Sequence, residues 1–571
     1  IMLGVGLSFY FLKYPSYAIK EYRIKASSQV VLAVLYMVVS MRVVPNLERA
    51  LQFAATNVTG PLAWEMRKLL WDIEMGRYNS ANEALTDYIA KWKPENEEFA
   101  EALRLIRDSL HQTPERAEKT LDEALDVILE GTKTRMKHYA QDLRTPVMVI
   151  HMMGMVLPVL GSIMAPLAAI FLADMVRIEY FFIGYDVILP LALVWFINTT
   201  LKKRPMTFSQ IDTSSHPDMP PKGCFFIKTG TKRIAVPVMP ISLLVVFIFT
   251  MPAIYYFSTN PDMFFPSQTQ HSQFSLFMSF LIILGIGYGL ASYFYLSNFQ
   301  QMSLQSDVQS TEGEFELALF QLGNRIASGV PPELALESAI DDVKDLKISG
   351  LFAIAIRNIR NLGMTFKEAI FDRKYGAILY YPSKLIHNIM GMIVDISEKG
   401  IKYAAEGMLT ISRYLRNIRE TQEYIRELLS ETTSSMTFQA YMLTPMVTGL
   451  IVSMSDVIIK VLTVLSMRLA KVSAGAALPM NATGLFGFKA SGAVPLSAEI
   501  FQLVIGIYVI EVIIVLAMFL TKISYGENKV VQWYMAGKML FASLFMYTAI
   551  AMIASATFGG LIAKSVESIT S

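Results

Sequence analysis

The sequence has little of what enzymes and secreted domains usually depend on. One of its 571 residues is cysteine, Cys224, so neither a disulfide within the chain nor a CxxC metal or redox site can form. The six histidines are scattered, and no nucleotide-binding loop, zinc-protease motif or serine-hydrolase motif is present. We therefore predict that the protein is not an enzyme and has no catalytic, cofactor or metal site.

Charge is also scarce. Only 17% of the residues are charged, against about 25% in an ordinary soluble domain. The formal net charge is +2, which disfavours nucleic acid as a partner. What the chain has instead is apolar residues, which make up 53% of it and are gathered into long runs. This composition predicts a protein of the lipid bilayer.

Seven runs are long enough to cross the hydrocarbon core as helices. They lie at about 146–172, 180–200, 236–257, 274–296, 438–465, 500–520 and 541–562. The apolar residues 1–12 are predicted to be the end of a further transmembrane helix whose beginning lies outside this sequence. The fold class is therefore predicted to be an all-α polytopic membrane protein.

Two charged regions with helical periodicity separate these spans, and we predict a helical bundle from each. The first bundle covers residues 13–144 and the second bundle residues 298–436. The apolar segment 30–44 is ambiguous, because it is shorter than the roughly 17 residues that a span needs. It aligns with residues 315–330, which include Glu316, Asn324 and Arg325 and cannot face lipid, so it is predicted to be a buried bundle helix.

The two halves of the chain match each other, which predicts two tandem copies of one unit. Gly60-Pro61-Leu62 corresponds to Ser349-Gly350-Leu351. The other matching sets are Met75-Gly76 with Leu362-Gly363, Asn82 to Leu85 with Lys367 to Ile370, Pro158 with Pro445, and Ile183-Gly184 with Ile505-Gly506. Each unit would consist of one span, one bundle and three spans (145–257 after the first bundle; 274–297 opening the second copy; 437–571 after the second bundle).

Four spans per unit give both copies the same orientation, so both bundles lie on one side of the membrane. The loop 201–235 contains seven Lys or Arg residues, whereas the loop 258–273 contains none. Basic loops face the cytoplasm. We therefore predict a multi-pass protein of the cytoplasmic membrane, with loop 201–235 and both bundles in the cytoplasm.

Four ionisable residues fall inside predicted spans, namely Asp186, Asp456, Lys460 and Glu511. A charge at membrane depth is costly and marks a functional site by default. Asp456 and Lys460 are spaced as i and i+4, which favours a local ion pair. The alternative is a polar contact surface between spans, or with a passing subunit.

A cluster of arginines at short spacing, Arg413, Arg416 and Arg419, precedes several glutamates on one predicted helix. The simpler interpretation is a solvated helix face with salt bridges along it. The functional interpretation is a docking face for an acidic partner.

Several motifs together resemble one known family. They are Tyr14-Pro15, Pro45 with Arg49-Ala50-Leu51, Gly76 before Glu83-Ala84-Leu85, Gly313 to Ala318, Gly363 to Ala369, Tyr381-Pro382-Ser383, and Gly506 to Glu511. The chain resembles the F-domain proteins of type II secretion and type IV pilus systems, including archaellum and Tad-type membrane components, and looks like the archaeal branch. The resemblance covers nearly the whole sequence.

The resemblance implies a non-enzymatic membrane platform. A cytosolic hexameric secretion ATPase would engage it and drive the assembly of pilin-like or archaellin-like subunits. Besides the lipid bilayer, a second copy of the chain is a possible partner, because two-copy symmetry suits either a monomer or a homodimer under a hexamer. The alternative is a secondary transporter built from parallel repeats.

Overall fold

The computed structural model describes residues 2–570 apart from the segments 165–177, 202–218, 261–272 and 476–496 and positions 28, 59, 162, 230, 231, 382, 399 and 527. About 87% of the structure is helical. The helices of the first half are α1 (Met2–Ser27), α2 (Val30–Val43), α3 (Leu47–Asn57), α4 (Pro61–Glu74), α5 (Ala81–Trp92), α6 (Glu97–Ser109), α7 (Pro114–Asp142), α8 (Arg144–His151), α9 (Ile178–Phe182), α10 (Leu189–Leu201) and α11 (Val238–Thr259).

Those of the second half are α12 (Gln273–Ala327), α13 (Pro332–Val343), α14 (Ser349–Leu362), α15 (Phe366–Phe371), α16 (Lys384–Ser397), α17 (Ile401–Phe438), α18 (Thr444–Gly475), α19 (Ala498–Tyr525) and α20 (Lys529–Thr570). Wider π-helical turns form π1 (Met152–Val156), π2 (Ile183–Ile188) and π3 (Gln439–Leu443), and a 3₁₀ turn covers Ala377–Tyr380. Within the described residues there are two strands, β1 (Cys224–Thr229) and β2 (Lys232–Pro237).

Seven helices among the described residues are long and apolar enough to cross a membrane. They are Pro114–Gly161, Glu179–Leu201, Val238–Thr259, Phe274–Ala327, Ile401–Ile459, Ala498–Tyr525 and Lys529–Gly559. Each of the seven predicted spans overlaps one of them, which confirms a helical polytopic membrane protein. The predicted end of a further span at 1–12 lies in α1, which continues to Ser27.

Local sequence sets the helix ends. Gly76 and Gly363 both adopt positive φ, +74° and +65°, as they leave α4 and α14, a conformation that glycine reaches without a steric penalty. The next helices begin with matching caps. Ser80 accepts a hydrogen bond from the N–H of Glu83, and Thr365 forms a complete capping box with Glu368.

The chain divides into two compact units. The polar unit comprises Ile1–Gln141, Lys202–Met219 and Ser303–Leu428, and the membrane unit comprises Asp142–Leu201, Pro220–Met302 and Leu429–Ser571. The polar unit thus joins most of the first bundle to most of the second. The helices α12 and α17 contribute residues to both units.

One continuous hydrophobic core fills the polar unit and takes residues from both bundles. The helix α2 is apolar almost all round and is buried over nearly its whole length. A helix of this kind that does not lie in lipid must be buried inside the protein. Burial raises the pKa of Tyr36 to about 12, and its hydroxyl hydrogen-bonds with Asn388 of the second bundle. Asn388 also donates to the carbonyl of Asn57 at 2.9 Å, so these bonds join the two bundles directly.

Small residues let the spans of the membrane unit approach closely. A Cβ atom added to Gly449 would lie 2.8 Å from the carbonyl oxygen of Tyr547, and one added to Gly537 would lie 2.7 Å from the backbone nitrogen of Tyr295. Glycine at such crossings is typical of helices packed in lipid, where close van der Waals contact replaces the hydrophobic effect.

The predicted loop 201–235 differs from the expectation of an all-α chain. Residues 224–237 form an antiparallel hairpin in which Cys224 pairs with Pro237. The side chain of Gln300 holds β1 by accepting from the N–H of Phe226 at 2.9 Å and donating to its carbonyl at 2.8 Å. The run Cys224 to Thr229 contains aromatic and β-branched residues, which favour a strand. The basic residues Lys202 to Arg204 of this loop lie outside the described residues.

Candidate functional site

The structure brings together two of the four ionisable residues predicted at membrane depth. Asp186 lies on π2 and Glu511 on α19, two elements in contact within the membrane unit, and their charges are close enough to interact. Asp456 on α18 is also buried, with 3% of its surface exposed. The side chain of Lys460 lies outside the described residues, so its pairing with Asp456 stays a prediction.

Each of the three π-helical turns in the described part of the chain ends two residues before a proline. Pro158 follows π1, Pro190 follows π2 and Pro445 follows π3. A proline ring has no N–H to donate and crowds the carbonyl four residues before it, so the preceding turn is disturbed. For Pro190 that carbonyl belongs to Asp186. The proline therefore acts on the turn that carries the acidic side chain.

Side chains of other helices donate hydrogen bonds to backbone carbonyls in the turns before these prolines. Pro158 cannot donate to Gly154, and the carbonyl of Gly154 accepts a hydrogen bond from the hydroxyl of Tyr508 at 2.7 Å. In π3, the hydroxyl of Ser543 donates to the carbonyl of Ala440 at 2.8 Å. An unpaired backbone group inside a membrane costs several kcal/mol, so these bonds stabilise the contacts between spans.

Two tyrosines pack beside the acidic pair. The rings of Tyr185 and Tyr508 meet edge to face, with their centroids 5.9 Å apart. The hydroxyl of Tyr185 donates to the carbonyl of Pro158 at 3.1 Å. Because Tyr185 precedes Asp186 in the chain and Tyr508 lies one helical turn before Glu511, the same contact holds both acidic residues in place.

The acidic pair has no compensating charge among the described residues. Asp186 is 7% exposed, and neither of its carboxylate oxygens accepts a hydrogen bond from a described group. The Oε2 atom of Glu511 is likewise without a hydrogen bond there. A buried carboxylate without a partner is costly. Such a pair can be compensated by a proton, by a small cation or by a basic group from a second chain.

An apolar cavity of about 570 Å³ lies next to the tyrosines. The first span lines it with side chains that include Met152, Leu157 and Leu160, and the second span with Gly184 and Tyr185. Gly161 faces Tyr185 so closely that a Cβ atom there would collide with the tyrosine hydroxyl. The cavity can hold apolar groups such as lipid chains or apolar side chains.

The three predicted docking arginines lie on α17 in the polar unit, and two of them bind an internal carboxylate. Arg416 Nε is 3.0 Å from Glu316 Oε1, and Arg419 Nη1 is 2.8 Å from Glu316 Oε2. The side chain of Glu316 is only 5% exposed, whereas each guanidinium is about half exposed. Arg413 contacts the carbonyl of Leu409 within its own helix. The inward contact of Arg416 and Arg419 gives them a structural role whether or not they also bind a partner.

Sequence reasoning named Asp186 and Glu511 but not Tyr185, Tyr508 or Gly154 as members of one site. A signal for part of it was present, because a proline inside a long apolar run marks a disturbed helical turn. No sequence pattern indicated that Tyr508 would contact the first span. Such a contact depends on packing between helices that are distant in the chain.

Comparison of the chain with protein-family models, with curated proteins and with solved structures finds no match.

Proposed function

We propose that the chain is the membrane platform of an archaeal type IV pilus-like, archaellum-like or type II secretion-like assembly machine. The observation that carries this proposal is the polar unit, in which two charged segments far apart in the sequence share one hydrophobic core. A transporter needs no such unit, whereas a docking platform needs a large, well-folded polar surface. The resemblance of the sequence to F-domain proteins supports the same conclusion.

Local geometry supports the tandem repeat that this family would require. The turns π1 and π3 are separated along the chain by the same number of residues as Gly76 and Gly363, and as Pro158 and Pro445. The Nδ1 atom of His151, just before π1, lies 3.1 Å from the Oε1 atom of Gln439, the first residue of π3. Matching distortions at matching positions are what two copies of one ancestral unit would retain.

In this proposal the polar unit lies in the cytoplasm and binds a hexameric secretion ATPase, which supplies the ATP chemistry. The spans contact pilin-like or archaellin-like subunits. Asp456, Lys460 and Glu511 belong to the helices proposed to move during assembly. Neutralising all three should abolish filament assembly, and normal filaments from that variant would remove these residues from the mechanism.

The test of the platform uses the intact chain in lipid nanodiscs, because the two bundles share a core and neither is expected to fold alone. The probe is the purified secretion ATPase encoded by the same genome. We expect binding and a change in ATP turnover when the nanodiscs are added. Empty nanodiscs and nanodiscs with an unrelated seven-span protein are the controls, and no binding by the folded chain contradicts the proposal.

A secondary transporter is the second candidate, and the uncompensated pair of Asp186 and Glu511 favours it, since intramembrane carboxyl groups often carry protons or cations. The two functions differ in one measurable property. A transporter in sealed vesicles should move protons or cations, and replacing Asp186 with Asn should stop that flux. A platform should show no flux in either form.

A further inference from the structure

The helix α4 in the polar unit exposes large apolar side chains that its own fold leaves uncovered. Trp64 is 71% exposed, Trp71 62% and Met75 68%. Together with Lys68 they are spaced as i, i+4, i+7 and i+11, which places Trp64, Lys68 and Trp71 on one face of the helix and Met75, its C-cap residue, at the end of that face. We call these four residues the tryptophan stripe.

The opposite face of α4 is fully used by the core, so the stripe is not a misplaced core face. Leu62, Met66 and Leu69 are buried there. Glu65, at the side, accepts hydrogen bonds from the Tyr88 hydroxyl and the Trp92 indole N–H, each at 3.1 Å. Isolated exposed apolar residues are common, but two tryptophans and a methionine along one face form a patch of the kind found at interaction sites.

The second bundle provides an internal comparison. In the register that aligns Leu62 with Leu351, Trp64, Lys68 and Trp71 correspond to Ala353, Arg357 and Arg360. The exposed face of α14 therefore has one small and two charged side chains. One of them, Arg360, forms a salt bridge with Glu337. In the same register Met75 aligns with Met364. The two tryptophans therefore belong to the first bundle only, and the shared helical architecture does not require them.

Charge argues for a protein rather than a lipid surface. The segment from Pro61 to Arg77 contains three basic and three acidic residues, Arg67, Lys68, Arg77, Glu65, Asp72 and Glu74. A helix that lies on an anionic membrane has an excess of Lys and Arg on its polar face. Because this segment has none in excess, a bilayer would gain little electrostatic attraction from it.

Charge also specifies the partner. Glu65 is occupied internally, and Asp72 pairs with Arg77. Lys68 lies between the tryptophans and forms no ion pair with a described residue. A matching surface would have apolar pockets for the two indoles and a carboxylate opposite Lys68.

We infer that the tryptophan stripe is a docking surface for an acidic, apolar-pocketed face of a cytosolic protein partner, which under the proposed function is the secretion ATPase. The inference rests on that function. It moves the docking surface from the arginines of α17, two of which bind Glu316, to α4 of the first bundle. Tryptophans at the centre of an interface commonly account for a large share of the binding energy.

The test measures the affinity of the full-length chain in nanodiscs for the purified ATPase. Replacing Trp64 and Trp71 together with Ser should weaken binding by about 30-fold or more, and Lys68→Glu should weaken it about tenfold. The matched control replaces Ala353 and Arg360 with Ser at the equivalent positions, with binding expected within twofold of the intact chain. Because all these side chains are exposed, the melting temperature should not change.

Each outcome separates this inference from the proposed function. Unchanged binding by the tryptophan variant, or equal loss in the control, overturns the docking surface but leaves the platform in place. No binding by the intact chain overturns both. Nanodiscs made with brominated lipid test whether the membrane covers the stripe instead of a protein. The fluorescence of Trp64 and Trp71, measured as the difference between the intact chain and the tryptophan variant, should not be quenched by the bromine. Strong quenching would assign the stripe to the membrane and overturn the inference.

Discussion

The two bundles of the polar unit shield a carboxylate in different ways. In the first bundle, Glu65 accepts hydrogen bonds from the neutral donors Tyr88 and Trp92, and its Oε2 atom lies 3.8 Å from Lys91 Nζ. In the second, Glu316 is bound by the guanidinium groups of Arg416 and Arg419. The buried carboxylate of the second bundle is therefore neutralised by two cations, whereas that of the first is held mainly by neutral donors.

The exposed faces follow the same division. In α14 of the second bundle, Arg360 pairs with Glu337 on a polar face. In α4 of the first, Trp64 and Trp71 are exposed. Surface ion pairs and exposed side chains both contribute little to stability, so folding alone does not require the exposed tryptophans of α4. The predictions below test how far the two bundles behave as one body and where they differ.

The largest loss of stability is expected at Tyr36, the residue that joins the two bundles. Tyr36→Ala removes a side chain that is 1% exposed at the centre of the shared core, together with its bond to Asn388. We expect a loss of about 4 kcal/mol in the free energy of unfolding. Hydrogen exchange should increase in both bundles at once. Faster exchange confined to the first bundle would show that the two fold independently, and Trp64→Ala, at an exposed position, is the control.

The next effect concerns the buried carboxylate of the second bundle. Replacing Arg416 and Arg419 with Ala leaves Glu316 buried without a counter-ion, and we expect a loss of about 2 to 3 kcal/mol, limited because solvent reaches both guanidinium groups. Glu316→Gln should cost less, since the arginines stay solvated. Urea unfolding of the polar unit, followed by hydrogen exchange, measures both variants. Equal losses in the two would contradict a role for the buried charge.

The helix caps test the similarity of the bundles at smaller scale. Ser80→Ala and Thr365→Ala each remove a side-chain acceptor for the N–H of a glutamate at the start of a helix. Each should cost about 1 kcal/mol in local stability, measured by hydrogen exchange of α5 and α15. The second should cost at least as much as the first, because Thr365 belongs to a complete capping box. Asp87→Ala, on the exposed face of α5, is the control.

The smallest effect is a pH dependence confined to the second bundle. Burial lowers the pKa of His387, which packs edge to face on Phe371, below its ordinary value of 6.5. The unfolded chain therefore binds this proton more readily, and stability present above pH 6.5 is lost as the pH falls through the pKa of the folded form. Unfolding at pH 7.5 and 5.5 should show a loss that His387→Gln reduces and His111→Gln does not. An unaltered pH dependence in the first variant would contradict this assignment.

How much was predictable differs between the fold and the site. The seven spans follow from long apolar runs, which have few other solutions in water or lipid. The buried helix at 30–44 followed from its short length and from its alignment with the polar segment 315–330. The hairpin at 224–237 was missed, because the loop 201–235 was interpreted from its basic charge and the strand-favouring run Cys224 to Thr229 is only six residues long. Asp186 and Glu511 were named for the cost of burying charge, but their proximity was not predicted, since it arises between helices far apart in the chain.

The sequence by itself determined that this is a helical polytopic membrane protein, where its spans fall and which residues would be costly inside them. These properties depend on composition and on spacing within one helix. Tertiary structure decided that the two bundles share a core, that Arg416 and Arg419 bind Glu316, and that Tyr508 contacts the first span. Each of these depends on packing between segments that are distant in the chain. A sequence pattern with a period of two to four residues shows which face of a helix or strand is buried, but not which distant segment packs against it.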